Sequence, residues 1–121
     1  MRRLVLVLTS LLAVAGGSAE AAVAPAPTAV GIGMREFSLT VYRSSVAAGP
    51  VRFNVTNRGE DAHNLQVLGP RGYRSAVSPD MKGAGGRTTL DVRLRKRGTY
   101  RLLCVKPGHP GLGMRATLRV R

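Results

Sequence analysis

Three side chains near the C-terminal end of the chain are of types that bind soft metal ions or attack as nucleophiles. They stand in Cys104-Val-Lys-Pro-Gly-His109-Pro-Gly-Leu-Gly-Met114, separated by four residues each time. Cys104 is the only cysteine and His109 one of two histidines. A spacing of five turns two side chains roughly 140° apart on a helix and sets them on opposite faces of a strand. Cys104 and His109 therefore meet only if the backbone doubles back. The steps Pro107-Gly108 and Pro110-Gly111 supply that reversal, so the segment reads as a loop aiming its three donors inward. The second histidine, His63, lies far upstream in His63-Asn64-Leu65-Gln66-Val67, where a period of two places it on one face with Leu65 and Val67.

The elements that must position these residues are strands. Phe37, Leu39 and Val41 alternate with Ser38, Thr40 and Tyr42. After Gly49-Pro50, Val51, Phe53 and Val55 alternate with Arg52, Asn54 and Thr56. Leu90, Val92 and Leu94 repeat the pattern, as do Tyr100, Leu102 and Cys104, and finally Met114, Ala116, Leu118 and Val120. Between Gly69 and Arg87 a Gly- and Pro-rich connection shows no sustained period. Short strands at such spacing, with no helical period and no internal repeat, predict an all-β, antiparallel Greek-key β-sandwich. Cys104, Met114 and His63 each fall on an apolar face, leaving His109 to close the site from one end. Met34 and Met81 read as packing residues.

The N-terminus has a different character. Arg2-Arg3, an apolar run from Leu4 to about Ala15, and the small residues Ala19-Glu20-Ala21 form a signal peptide over residues 1–21. The run is too short for a span of about 20 residues, so export to the periplasm or cell surface is expected. Residues 22–33, rich in Ala, Pro and Gly, read as a flexible lead-in, and 34–121 as one domain. The net charge is +13, and loss of Arg2, Arg3 and Glu20 with the leader leaves +12. For an exported monomer that charge suits an acidic protein surface, an anionic membrane or a cell-wall polymer. Export, and an aromatic content of 4%, argue against nucleic acid. A lone cysteine in an oxidising compartment has no internal disulfide partner, so it is buried and inert, bonded to another chain, or committed to a metal or to chemistry.

Taken singly, each residue has an ordinary reading: a core histidine, a small buried thiol, a loop histidine, a packing methionine. Together they read differently. Two imidazoles and a thiolate with a weak axial thioether are the ligands of blue-copper electron-transfer sites, whereas zinc gains little from a thioether. With Asn57-Arg-Gly-Glu-Asp-Ala-His63-Asn64 and the Tyr100 to Met114 segment in view, the chain from about Met34 to Arg121 resembles the cupredoxins, the plastocyanin- and azurin-like small blue proteins. That resemblance implies one copper ion held by His63, Cys104, His109 and Met114, and an Asn64 side chain tying its strand to the cysteine loop. It also implies a one-electron carrier with a redox protein partner, electrons entering at His109 through a patch with Pro110 and Leu112. Arg115 stands where many relatives have glycine.

Two other readings are carried forward. One keeps the metal and makes the protein a single-ion copper delivery or buffering protein. The other is an enzyme with Cys104 as nucleophile and His109 or His63 as base, but no oxyanion site is evident. A copper oxidase needs more metal sites than two histidines furnish. No enzymatic activity is expected.

Overall fold

A computed structural model describes residues 10–21 and 23–121. The expected signal peptide lies partly outside them, and residues 10–21 form no helix or strand. The strands are β1 (Thr28–Arg35), β2 (Ser38–Val41), β3 (Ser45–Val46), β4 (Gly49–Asn57), β5 (Gln66–Leu68), β6 (Arg87–Leu94), β7 (Gly98–Leu103) and β8 (Arg115–Val120), with one helical turn, α1 (His109–Leu112). They make two four-stranded sheets, ordered β2-β1-β4-β6 and β3-β8-β7-β5. Consecutive strands switch sheets repeatedly, as a Greek-key sandwich requires.

Strand β4 shows why the sandwich forms. Val51, Phe53 and Val55 are fully buried while Arg52 and Asn54 face water, the alternation of a sheet with one wet face. Val30, Ile32 and Met34 of β1 line the same interior, opposite Tyr100 and Leu102 of β7 and Leu118 and Val120 of β8, all in one apolar cluster. Burying each of the larger aliphatic or aromatic side chains contributes about 1.5–3 kcal/mol.

Three expectations are corrected. The lead-in does not extend to residue 33, because Thr28–Arg35 is strand β1. Its Gly31 and Gly33 dilute the pattern in sequence, but they leave room for Tyr42, whose hydroxyl would stand 2.6 Å from a Cβ on Gly33. The sandwich is not wholly antiparallel: β1 pairs parallel with β4, and β3 parallel with β8. Phe37 is not an inward strand residue; it stands in the β1–β2 turn, 40% exposed.

Candidate metal centre

Strand β7 carries its inward register one residue past Leu103, so Cys104 follows Tyr100 and Leu102 into the interior and is fully buried. The chain then doubles back. The N–H of His109 donates to the Lys106 carbonyl (3.0 Å), that of Met114 to the His109 carbonyl (3.1 Å), and that of Cys104 to the Met114 carbonyl (3.1 Å). The expected loop thus holds one turn of helix, α1, and these bonds fix the return path. Gly113 has φ 122°, and a Cβ there would lie 2.7 Å from the Phe37 carbonyl oxygen, so glycine alone suits the position. Met114, immediately before β8, is fully buried.

His63 arrives from the other side. Its main chain exchanges hydrogen bonds with Met81, at 2.8 and 3.1 Å, and its imidazole is completely buried. Asn64 spans the gap to the cysteine loop: its Oδ1 accepts the Val105 N–H at 2.9 Å, and its Nδ2 donates to Asp80 Oδ1 at 3.0 Å. Lys106 is paired with the same aspartate. That ammonium, with Asn64, holds the Asp80 carboxyl below its usual range. Residues adjoining His63 and Cys104 are therefore linked by a continuous chain of hydrogen bonds.

The donors converge. His63 Nδ1 lies 3.2 Å from His109 Nδ1 and 3.8 Å from Cys104 Sγ, and the His109 nitrogen lies 3.5 Å from the same sulfur. The circle through the three atoms has a radius of about 2.0 Å, close to the bond lengths of about 2.0–2.3 Å that imidazole and thiolate make to a first-row divalent ion. Three strong donors at the corners of a triangle, with the buried thioether residue Met114 next in the chain fold, fit one copper ion of the type 1 kind. His109 is only partly buried, flanked by the exposed Leu112 and by Phe37, whose ring meets the imidazole edge to face at 5.4 Å. Pro110 is half-buried beside them.

Three residues have roles at the site that the sequence reading did not assign. Glu36, in the β1–β2 turn, places Oε1 2.7 Å from His63 Nε2. It also accepts the N–H of Glu60 at 3.0 Å and of Asp61 at 2.9 Å. The Glu60 N–H, assisted by that of Asp61 and by His63, holds the Glu36 carboxyl at about 2. The carboxylate offers only acceptors, so the proton between it and His63 belongs to Nε2, and a neutral ring then has a free lone pair on Nδ1, facing the triangle. Phe37 follows directly. Asn57, buried at the end of β4, donates to the Asp61 carbonyl (2.7 Å) and to those of Met81 and Lys82 (both 3.3 Å), and accepts the Gly59 N–H (2.9 Å). Asn followed two residues later by Gly is an Asx-turn signal, and it marks the turn leading to His63. Nothing in the spacing around Glu36 announces its partner.

The fold is that of the cupredoxins. Auracyanin from Roseiflexus castenholzii is 22% identical, with a TM-score of 0.66 over 80% of this chain and 99% of that one. Auracyanin A, a blue copper protein of Chloroflexus aurantiacus, is 22% identical, with a TM-score of 0.64 over 79% and 100%. A purple cupredoxin of Nitrosopumilus maritimus is 18% identical, with a TM-score of 0.51 over 78% and 99%. No protein-family model and no curated protein sequence matches the chain.

Proposed function

We propose that this is an exported mononuclear type 1 copper protein that carries one electron at a time between redox partners. The observation that carries the reading is the triangle of His63, Cys104 and His109, buried on two corners and open at the third. A copper ion bound there would supply the reversible one-electron couple. The chain's own residues supply the rest. His63 and Cys104 are anchored to neighbouring loops, so their donor atoms keep their places whichever charge the ion carries. Burial of the cysteine excludes water and oxidants from the thiolate. His109, Pro110 and Leu112, with Phe37, form the apolar rim through which the site touches a partner.

Both histidines and the sole cysteine are used in this one cluster, which supports a carrier rather than an oxidase or a thiol enzyme. Among the described residues no helix is long and apolar enough to cross a membrane, and the leader composition supports export. Addition of copper(II) to the mature protein is expected to produce an intense visible charge-transfer band with a small parallel hyperfine splitting in the paramagnetic resonance spectrum. Cys104→Ser removes the band. A colourless adduct with ordinary tetragonal spectra would overturn the reading. Reversible oxidation and reduction without loss of the ion separates electron carriage from copper delivery.

A further inference from the structure

Glu36 does something unusual for a turn residue. In a chain with 19 basic and 6 acidic residues, one carboxylate reaches from the β1–β2 turn to the ring nitrogen of His63 that faces away from the donor triangle, at 2.7 Å. Its position is built for. Two main-chain N–H groups, from Glu60 and Asp61, grip its oxygens. Gly59 leaves it space, since a Cβ there would stand 2.3 Å from Oε1. The side chain is 25% exposed while the imidazole is fully buried, so the bond is sheltered on the histidine's side.

We propose that Glu36 is the positioning residue of the buried imidazole: its carboxylate takes the Nε2–H of His63, fixes the ring's tautomer and rotation, and pushes electron density toward Nδ1. An imidazole hydrogen-bonded to an anion is a stronger donor than one bonded to a neutral acceptor. A stronger donor favours copper(II) over copper(I) and lowers the reduction potential. The adjoining Phe37 rests on His109, so this one turn braces both imidazoles, and only Glu36 does so with charge. The inference rests on the type 1 copper reading for its effect on potential, but its hydrogen bond is decided separately.

The test uses the copper-loaded protein, with Glu36→Gln and Glu36→Asp as variants. Glu36→Gln is expected to weaken copper(II) binding at least tenfold relative to copper(I), which raises the potential by about 59 mV per tenfold. Glu36→Asp, which keeps the charge on a shorter arm, is expected to shift it less. In the reduced, diamagnetic wild type, the Nε2 proton of His63 gives a slowly exchanging, downfield resonance, which moves upfield in the Gln variant, whose amide oxygen is a neutral and weaker acceptor. A Gln variant that stays blue at an unchanged potential overturns the proposal. So does a reduced wild type whose Nε2 carries no protected proton, a result that needs no variant to fold. Absence of a blue band in the wild type would instead sink the copper reading, while the resonance of the reduced sample still decides the role of Glu36.

Discussion

Three hydrogen bonds to one carboxylate join the β1–β2 turn to the segment 60–63, since Glu36 accepts from Glu60, Asp61 and His63 at once. These bonds favour the ionised form and set the carboxyl at about 2 in the fold, against 4.5 as its ordinary value. A folded-state value below the unfolded one means that the ionised carboxylate stabilises the fold fully above about pH 4.5 and that this contribution is lost as the pH falls toward 2. Thermal unfolding of the protein at steps from pH 7 to 2 is therefore expected to show a falling midpoint across that window. Asp80 and Asp91, also held below their usual range by Lys106 and Arg52 respectively, contribute to the same fall, so the diagnostic is the difference between wild type and Glu36→Gln. The variant's profile should be the shallower one, and superimposable slopes would leave the carboxylate without this role. At the scale of single residues the donors themselves were legible, because thiol, imidazole and thioether are rare types and their chemistry travels with them. Glu36 was not, because an acid on a turn looks the same in sequence whether it faces water or an imidazole across the sandwich.

Strand alternation made β4, β6, β7 and β8 readable, since burial on one face imposes a period of two whatever the partner. It failed at β1, where Gly31 and Gly33 occupy the outer positions and Tyr42 covers them; the cover comes from another strand, and no local pattern contains it. Parallel pairing of β1 with β4 was equally hidden, because the alternation is the same for either direction. The loops that carry the ligands depend on Asn57, which joins the end of β4 to the turn before His63 and to the Met81–Lys82 main chain. Asn57→Ala leaves the Gly59 N–H and the Asp61 and Lys82 carbonyl oxygens without that partner, while the Met81 carbonyl keeps the His63 N–H, and each unsatisfied buried group costs about 1–3 kcal/mol. We expect the variant to lose about 2–4 kcal/mol overall, seen as a lower midpoint in urea with an unchanged slope. If the midpoint holds, the loops are fixed by their main-chain bonds alone. The expected blue site would then survive the substitution too.

Charge is distributed unevenly over the whole molecule. Glu36, Glu60, Asp61 and Asp80 belong to loops at the donor end, and Asp91 is paired with Arg52 on the other sheet. The outer face of β7 and β8 is different: Arg101, Arg115 and Arg119 alternate outward with Thr99 and Thr117, followed by Arg121, and among the described residues none of these arginines pairs with a carboxylate. A face of one sign raises the encounter rate with an oppositely charged partner, and salt removes the effect as the screening length falls to about 8 Å at 0.15 M. Electron exchange with an anionic iron complex should accordingly be fast at low salt and slow severalfold by about 0.15 M, whereas a cationic cobalt complex should show the opposite trend. The triple change of Arg101, Arg115 and Arg119 to Glu should flatten or invert both trends. A control that reverses Arg52, Arg87 and Arg93 on the β4 and β6 side alters the net charge equally, so it isolates location from total charge. If the two triple variants behave alike, steering comes from the molecule's net charge and the β7–β8 face has no special part in docking. If the first alone abolishes the salt dependence, that face sets the approach, and the apolar rim at His109 is left to make the contact.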